Sequence, residues 1–173
     1  MATVSLSTLN SLLEKTSDWD KDERYMATSD LCNLLSKDVR LEEHMEAKVC
    51  QAILKQLDDQ SNDVQSVAVK CLAVLLKRVG PQQLGEIGQK LVCLVLEGKD
   101  SLRDIYSIGL KTLIADAPEA MGTIVTDKLT NKLLNGLKFN TSEDVLRECL
   151  DNLTELLRRF GHLNEKEHLD IMV

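Results

Sequence analysis

The side chains able to do chemistry on their own are few and far apart in this 173-residue chain. Five cysteines stand at 32, 50, 71, 93 and 149, and three histidines at 44, 162 and 168. A zinc site gathers four such ligands, with pairs a few residues apart. No two of these cysteines form a CxxC pair, and the histidines do not supply the missing cluster. Each cysteine falls in an apolar helical pattern, which makes it a small core residue of a reducing compartment. Paired carboxylates occur at Asp58-Asp59 and Glu42-Glu43. Both pairs lie in polar turns, where solvated carboxyls keep their ordinary pKa values and make poor general acids. His44, His162 and His168 read as solvated surface residues. There is no nucleophile elbow, no GxxxxGKS/T phosphate loop, no HExxH and no EF-hand loop. The residue types and spacings therefore predict no enzyme, no cofactor and no metal.

What remains is the chemistry of surfaces, and composition limits which surfaces. The net charge is −7, from 28 acidic and 21 basic residues. Binding nucleic-acid phosphates normally takes a basic face, so that function is disfavoured. Met1–Asn10, MATVSLSTLN, lacks the charged and apolar parts of a signal peptide. Apolar runs such as Leu91–Leu96 fall well short of the ~20 residues that span a bilayer. These features predict an intracellular chain, cytoplasmic or nuclear, with no membrane partner. Aromatics make up only 3% and there are two prolines. With abundant Leu, Ala, Val, Lys and Glu, that composition points to helices and away from an all-β sandwich or barrel.

Apolar residues recur at spacings of three and four almost throughout. Leu6, Leu9, Leu12 and Leu13 open a first helix. A second begins near Asp18–Asp20 and carries Tyr25, Met26, Leu31, Leu34 and Leu35. Further helices are predicted over 43–58, 63–79, 82–97, 101–116, 119–138 and 143–160. Short polar turns separate them at 58–63, Gly80-Pro81, 98–101 and 140–142, and Pro118 marks another start. Connections this short favour antiparallel helical neighbours.

The helices repeat. Val64–Leu75 aligns with Leu102–Leu113 at an offset of 38, with Val145–Leu156 a further 43 on, and with the segment 41 before it. Two leucine columns hold in all four copies: 31, 72, 110 and 153, and 34, 75, 113 and 156. Two helices per unit of about 40 residues define HEAT repeats rather than three-helix armadillo units. The prediction is an all-α, HEAT-repeat α-solenoid of about four helical hairpins plus a partial fifth. Residues 1–173 read as one array, with repeats at about 5–38, 42–79, 82–117 and 119–160, and a partial repeat at 163–173.

The repeat frame assigns further roles. Asp22, Asn62 or Asp63, Asp100 or Ser101, and Ser142 or Asp144 are N-cap candidates for the second helices. Gly85, Gly88 and Gly109 allow close helix packing. Trp19, the single tryptophan, packs between the first two helices or serves as a partner's anchor. Core columns at 64, 67, 68, 71, 72 and 75 leave 66, 70, 73 and 77 facing outward. Carried through the copies, this stripe predicts a protein-binding concave face whose charged members are Lys70, Lys77, Asp104, Lys111, Arg147, Asp151 and Arg158. Five of these are basic, so the stripe is mildly positive on an acidic chain, suited to an acidic partner surface; an ordinary solvated face has the same pattern.

A family resemblance lies in DKDERYMATSDL (Asp20–Leu31), VQSVAVKCL (Val64–Leu72), LRDIYSIGLKTL (Leu102–Leu113) and LNSLLEK (Leu9–Lys15). In register from Met1 to about Val125, and more loosely at 143–161, the chain resembles the N-terminal repeats of the cullin-associated, neddylation-dissociated proteins. The resemblance implies a scaffold that binds unneddylated cullin–RING complexes at the cullin C-terminal and RING end. It also implies a role in substrate-receptor exchange, and hence in assembly of SCF-type ubiquitin ligases. Members of that family are far longer, and adaptor displacement belongs to their C-terminal repeats. The chain therefore reads as an N-terminal fragment, a split-gene product or a truncated relative, with the remaining repeats on the same or a second chain as a further partner. Leu169, Ile171 and Met172 are expected to leave an uncovered apolar face that self-associates or docks another chain. The alternative reading is a HEAT scaffold unrelated to cullins, such as a transport-receptor or phosphatase-scaffold fragment.

Overall fold

The computed structural model describes residues 4–37 and 39–163. Among them are eight α-helices, three short 3-10 turns and no strand. The chain forms two compact units, Met1–Gln83 and Leu84–Val173.

In the first unit, α1 (Leu6–Lys15) and α2 (Lys21–Ser36) make one hairpin, and α3 (Glu43–Gln56) and α4 (Asn62–Leu75) make the next. α2 lies along α4 while α1 approaches α3, so first helices stack on first helices and second on second. That two-layer plan is the HEAT-type helical repeat. Its core is continuous: Leu31, Val49, Ile53, Val64, Ala68 and Leu72 are wholly buried. All six core positions expected in α4 (64, 67, 68, 71, 72 and 75) are buried.

The second unit repeats the plan. α5 (Pro81–Glu97, its first turn in the first unit) and α6 (Arg103–Asp116) are followed by α7 (Gly122–Phe139) and α8 (Glu143–Phe160). α6 packs on α8 and α7 on α8. Leu91, Leu110, Leu129, Leu133 and Cys149 have no exposed surface. α5 meets α7 at glycines: a Cβ on Gly88 would stand 3.0 Å from a Leu129 methyl, and one on Gly136 would stand 2.6 Å from a Leu96 methyl. Gly85 differs from the close-packing role expected of it, since a Cβ there meets nothing closer than 3.6 Å.

Seven of the eight column leucines are buried; Leu34 is half-buried, and in α2 Leu35 takes the inward place at 1% exposure. The caps also differ from expectation. The N-cap of α2 is Asp20, not Asp22, and that of α4 is Ser61, whose side chain makes no capping bond. α6 is entered through a 3-10 turn at Asp100–Leu102, and Leu102 is its cap. Ser142 caps α8 in position only. The local organiser lies two residues earlier. Asp18, Asp59 and Asn140 each accept the backbone N–H of the residue two ahead, at 2.8, 2.9 and 3.1 Å. These Asx turns set the reversal into α2, α4 and α8. α7 starts at Gly122, after a 3-10 turn that follows Pro118. At the other end of α6, Arg159 donates to the carbonyls of Ile114 and Ala117, supplying positive charge where the helix leaves carbonyls unbonded. The partial fifth repeat falls on residues 164–173, outside the described residues, as do His168, Leu169, Ile171 and Met172.

Candidate protein-interaction surface

The outward stripe of the first unit rises from the second helices. Once α2 and α4 bury their shared face, Tyr25 and Ser36 on α2 and Ser66, Lys70 and Lys77 at α4 are left exposed, with Ser29, Cys32 and Ala73 half-buried between them. Neither Lys70 nor Lys77 has a carboxylate partner among the described residues. They present uncompensated positive charge.

The stripe of the second unit is different in kind. Lys111 on α6 lies 3.6 Å from Glu148 and 3.8 Å from Asp151, both on α8. Arg147 pairs with Asp144 at 3.5 Å, and Arg158 with Glu155 at 2.9 Å. Such exposed pairs add little stability, but they cancel the charge a partner would feel. Asp104 is exposed on the first turn of α6. The free positive charge of the stripe is thus carried by Lys70 and Lys77. Glu148, which the sequence did not single out, is the hinge of this cluster. Ser107 donates to it, and the buried Asn152 amide donates to the Ser107 hydroxyl (3.2 Å) and the Glu148 carbonyl (2.8 Å). The hint in the sequence was its place beside Arg147 and one turn before Asp151 on the same helix.

Trp19 does not pack between α1 and α2. Its residue surface is 91% exposed, because the Asx turn of Asp18 and the cap at Asp20 hold the intervening residue outward. Arg24 fixes the same turn by donating to the carbonyls of Asp18 and Trp19, both at 3.0 Å. Its other guanidinium edge grips Asp59 through two bonds of 2.7 and 3.0 Å. Asp59 is accordingly not the solvated turn carboxylate that its sequence neighbours implied: its side chain is 6% exposed. Burial alone would raise its pKa. The Arg24 hydrogen bonds and charge and the Ser61 N–H outweigh burial and hold it below the usual carboxylate range. The pair ties the first hairpin to the second and is structural. Glu42, Glu43 and His44 are exposed, with His44 3.4 Å from Glu42.

Cys50, Cys71 and Cys149 are buried, Cys32 and Cys93 half-buried, and none of the five is in a disulfide. Burial, with Glu148 nearby, pushes Cys149 up to about 11. Burial and the neighbouring Cys32 thiol push Cys71 higher still. These are inert core thiols. No group of three His, Cys, Asp or Glu among the described residues could hold a metal ion. No described helix is long and apolar enough to cross a membrane.

Stacked helical hairpins with a solvent-facing row of second-helix side chains define a helical-repeat protein of the HEAT type. The similar solved structures are distant: a designed armadillo repeat protein in complex with the peptide (KR)4 is 19% identical, with a TM-score of 0.47 over 87% of this chain and 64% of its own. No protein-family model matches the chain. Full-chain sequence comparison is far more specific. Cullin-associated NEDD8-dissociated protein 1 of Arabidopsis thaliana is 38% identical over 151 residues, 86% of this chain. The protein of the same name from Drosophila melanogaster is 38% identical over 176 residues, 99% of the chain. Cullin-associated NEDD8-dissociated protein 2 of Mus musculus is 40% identical over 159 residues, 88% of the chain. Over most of its length the chain is therefore similar to cullin-associated NEDD8-dissociated proteins. It spans 12 to 14% of the length of these relatives.

Proposed function

We propose that the chain is a non-catalytic protein-binding scaffold that engages a cullin–RING complex in its unneddylated form and so takes part in regulating cullin–RING ligase assembly. The observation that carries this reading is the 38 to 40% identity to cullin-associated NEDD8-dissociated proteins over most of the chain. The exposed second-helix residues support it: the contact residues in this reading are Lys70 and Lys77 in the first unit, and Asp104, Lys111, Arg147, Asp151 and Arg158 in the second. Intracellular residence, cytoplasmic or nuclear, is part of the same proposal. Binding energy in such a scaffold is spread over a broad area, so a segment of this size is expected to bind more weakly than a longer array.

The test is calorimetric titration of the chain into a purified cullin–RING complex, unmodified and neddylated. Saturable binding to the unmodified complex that weakens at least tenfold after neddylation fits the proposal. Equal affinity for the two forms, or no heat at high micromolar concentration of both, overturns it. Reversing Lys70 and Lys77 to Glu should lower the association rate more than it raises the dissociation rate, because free surface charge acts mainly in steering encounter.

A further inference from the structure

A concavity of the first unit lies where α2, α4 and the linker between the hairpins come together. It is an open cleft of ≈ 1010 Å³, at the upper end of the ~300–1,000 Å³ typical of ligand sites. Its floor is apolar, formed by the buried Leu35 and Leu75. Leu41, Ala73 and Val74 are half-buried on its sides, so apolar surface there is accessible. The rim is basic: Arg40, Lys77 and Arg78 all line the cleft and all are exposed. Among the described residues one acid, Glu46, also lines it, but its Oε1 already accepts the Gly80 N–H at 3.0 Å. Arg78 gives one guanidinium hydrogen to the Val39 carbonyl at 3.3 Å, which leaves its other donors facing out. Arg40 and Lys77 have no carboxylate partner among the described residues.

An apolar floor beneath three exposed cations is unusual on a chain of net charge −7. The floor rewards an aliphatic or aromatic side chain, at about 25 cal/mol per Å² of apolar surface removed from water. The rim rewards carboxylates at its edges, guanidinium binding them bidentately. A nucleic acid would satisfy the rim and leave the floor unused. An uncharged apolar peptide would do the reverse. We infer that this cleft is a docking site for a short peptide segment that alternates acidic and large apolar residues. The inference goes beyond the cullin reading and stands or falls separately from it, since it concerns one cleft of one unit and a synthetic probe.

The experiment uses the whole chain and a fluorescein-labelled decapeptide of alternating Glu and Leu, followed by anisotropy. Controls are the Lys/Leu and Glu/Ser decapeptides and a labelled ten-nucleotide single strand. The expected result is saturable binding of the Glu/Leu peptide, at least tenfold tighter than each control. Arg40→Glu with Lys77→Glu should abolish it. Ala73→Trp, which fills the cleft and leaves its charges in place, should weaken it at least fivefold. Lys48→Glu, exposed on α3 and away from the cleft, should leave it unchanged. Circular dichroism confirms that each variant is folded. Three outcomes overturn the inference: a Glu/Leu affinity no better than that of the Glu/Ser peptide or the oligonucleotide; affinity insensitive to both the charge reversal and Ala73→Trp; or no binding at 1 mM peptide.

Discussion

Arg24 and Asp59 show how much one pair of side chains does here. The guanidinium spans the carboxylate of one inter-helix turn and two carbonyls of another, so a single residue holds the first hairpin's reversal and its contact with the second. Arg24→Ala leaves a carboxylate that is 6% exposed without its partner, and is expected to cost about 3 kcal/mol in urea denaturation. The same pair sets an acid limit. Because the folded-state pKa of Asp59 is lowered, its contribution is fully present above its unfolded-state value near 4. It is lost as pH falls through the lower folded value. Stability measured from pH 6 to pH 2 should therefore drop less steeply in Asp59→Asn than in the parent chain, while the variant is the less stable of the two at pH 7. Parallel curves would remove Asp59 from the account. The pairing was not legible in the sequence: the partners are 35 residues apart, and Asp59 differs from the half-exposed Asp58 only in which way the turn points it.

At the scale of helices, glycines decide how closely neighbours pack, and two of them should respond oppositely to the same change. A methyl on Gly136 would stand 2.6 Å from the half-buried Leu96 and 2.7 Å from the sulfur of the buried Cys149. Gly136→Ala should destabilise by about 1–3 kcal/mol through overpacking. A methyl on Gly85 meets only ordinary contacts at 3.6–3.7 Å, two of them on the flexible Lys128 side chain. Gly85→Ala should stabilise by about 0.5–1 kcal/mol through helix propensity. Thermal unfolding of both variants checks the pair, and like signs would refute the packing argument. Helix positions were readable in advance because the spacing of Leu72, Leu75, Leu110 and Leu113 is dictated by burial on one face. The distinction between Gly85 and Gly136 was not, since it depends on what the facing helix places opposite. The caps misled for a similar reason. Asp18, Asp59 and Asn140 act two residues before the cap, and a search confined to the cap position passes over them; Asx-x-Asp/Ser before α2, α4 and α8 is the signal that would have found them.

For the whole molecule, the uniform recurrence of hairpins hid one property. Nothing in composition marks residue 83 as a division between compact units: Gly80-Pro81 reads as one more short turn between helices. The charge tally of the stripe was also readable but incomplete: Arg147 and Arg158 have carboxylates three residues before them on α8, which the tally left out, and Lys111 acquires its carboxylate neighbours only when α6 packs on α8. A last consequence follows from the turn that thrusts Trp19 into solvent. It is the chain's single indole, and at 91% exposure it sees water before unfolding as well as after. Native fluorescence should have the red-shifted maximum of a hydrated indole and be quenched by acrylamide almost as readily as free tryptophan. Unfolding that erases the helical circular dichroism should scarcely move it, whereas a blue-shifted native maximum would contradict the exposed turn. The emission of this chain is thus blind to its own core and sensitive to anything that settles on the α1–α2 turn, which makes Trp19 a built-in reporter of contact rather than of folding.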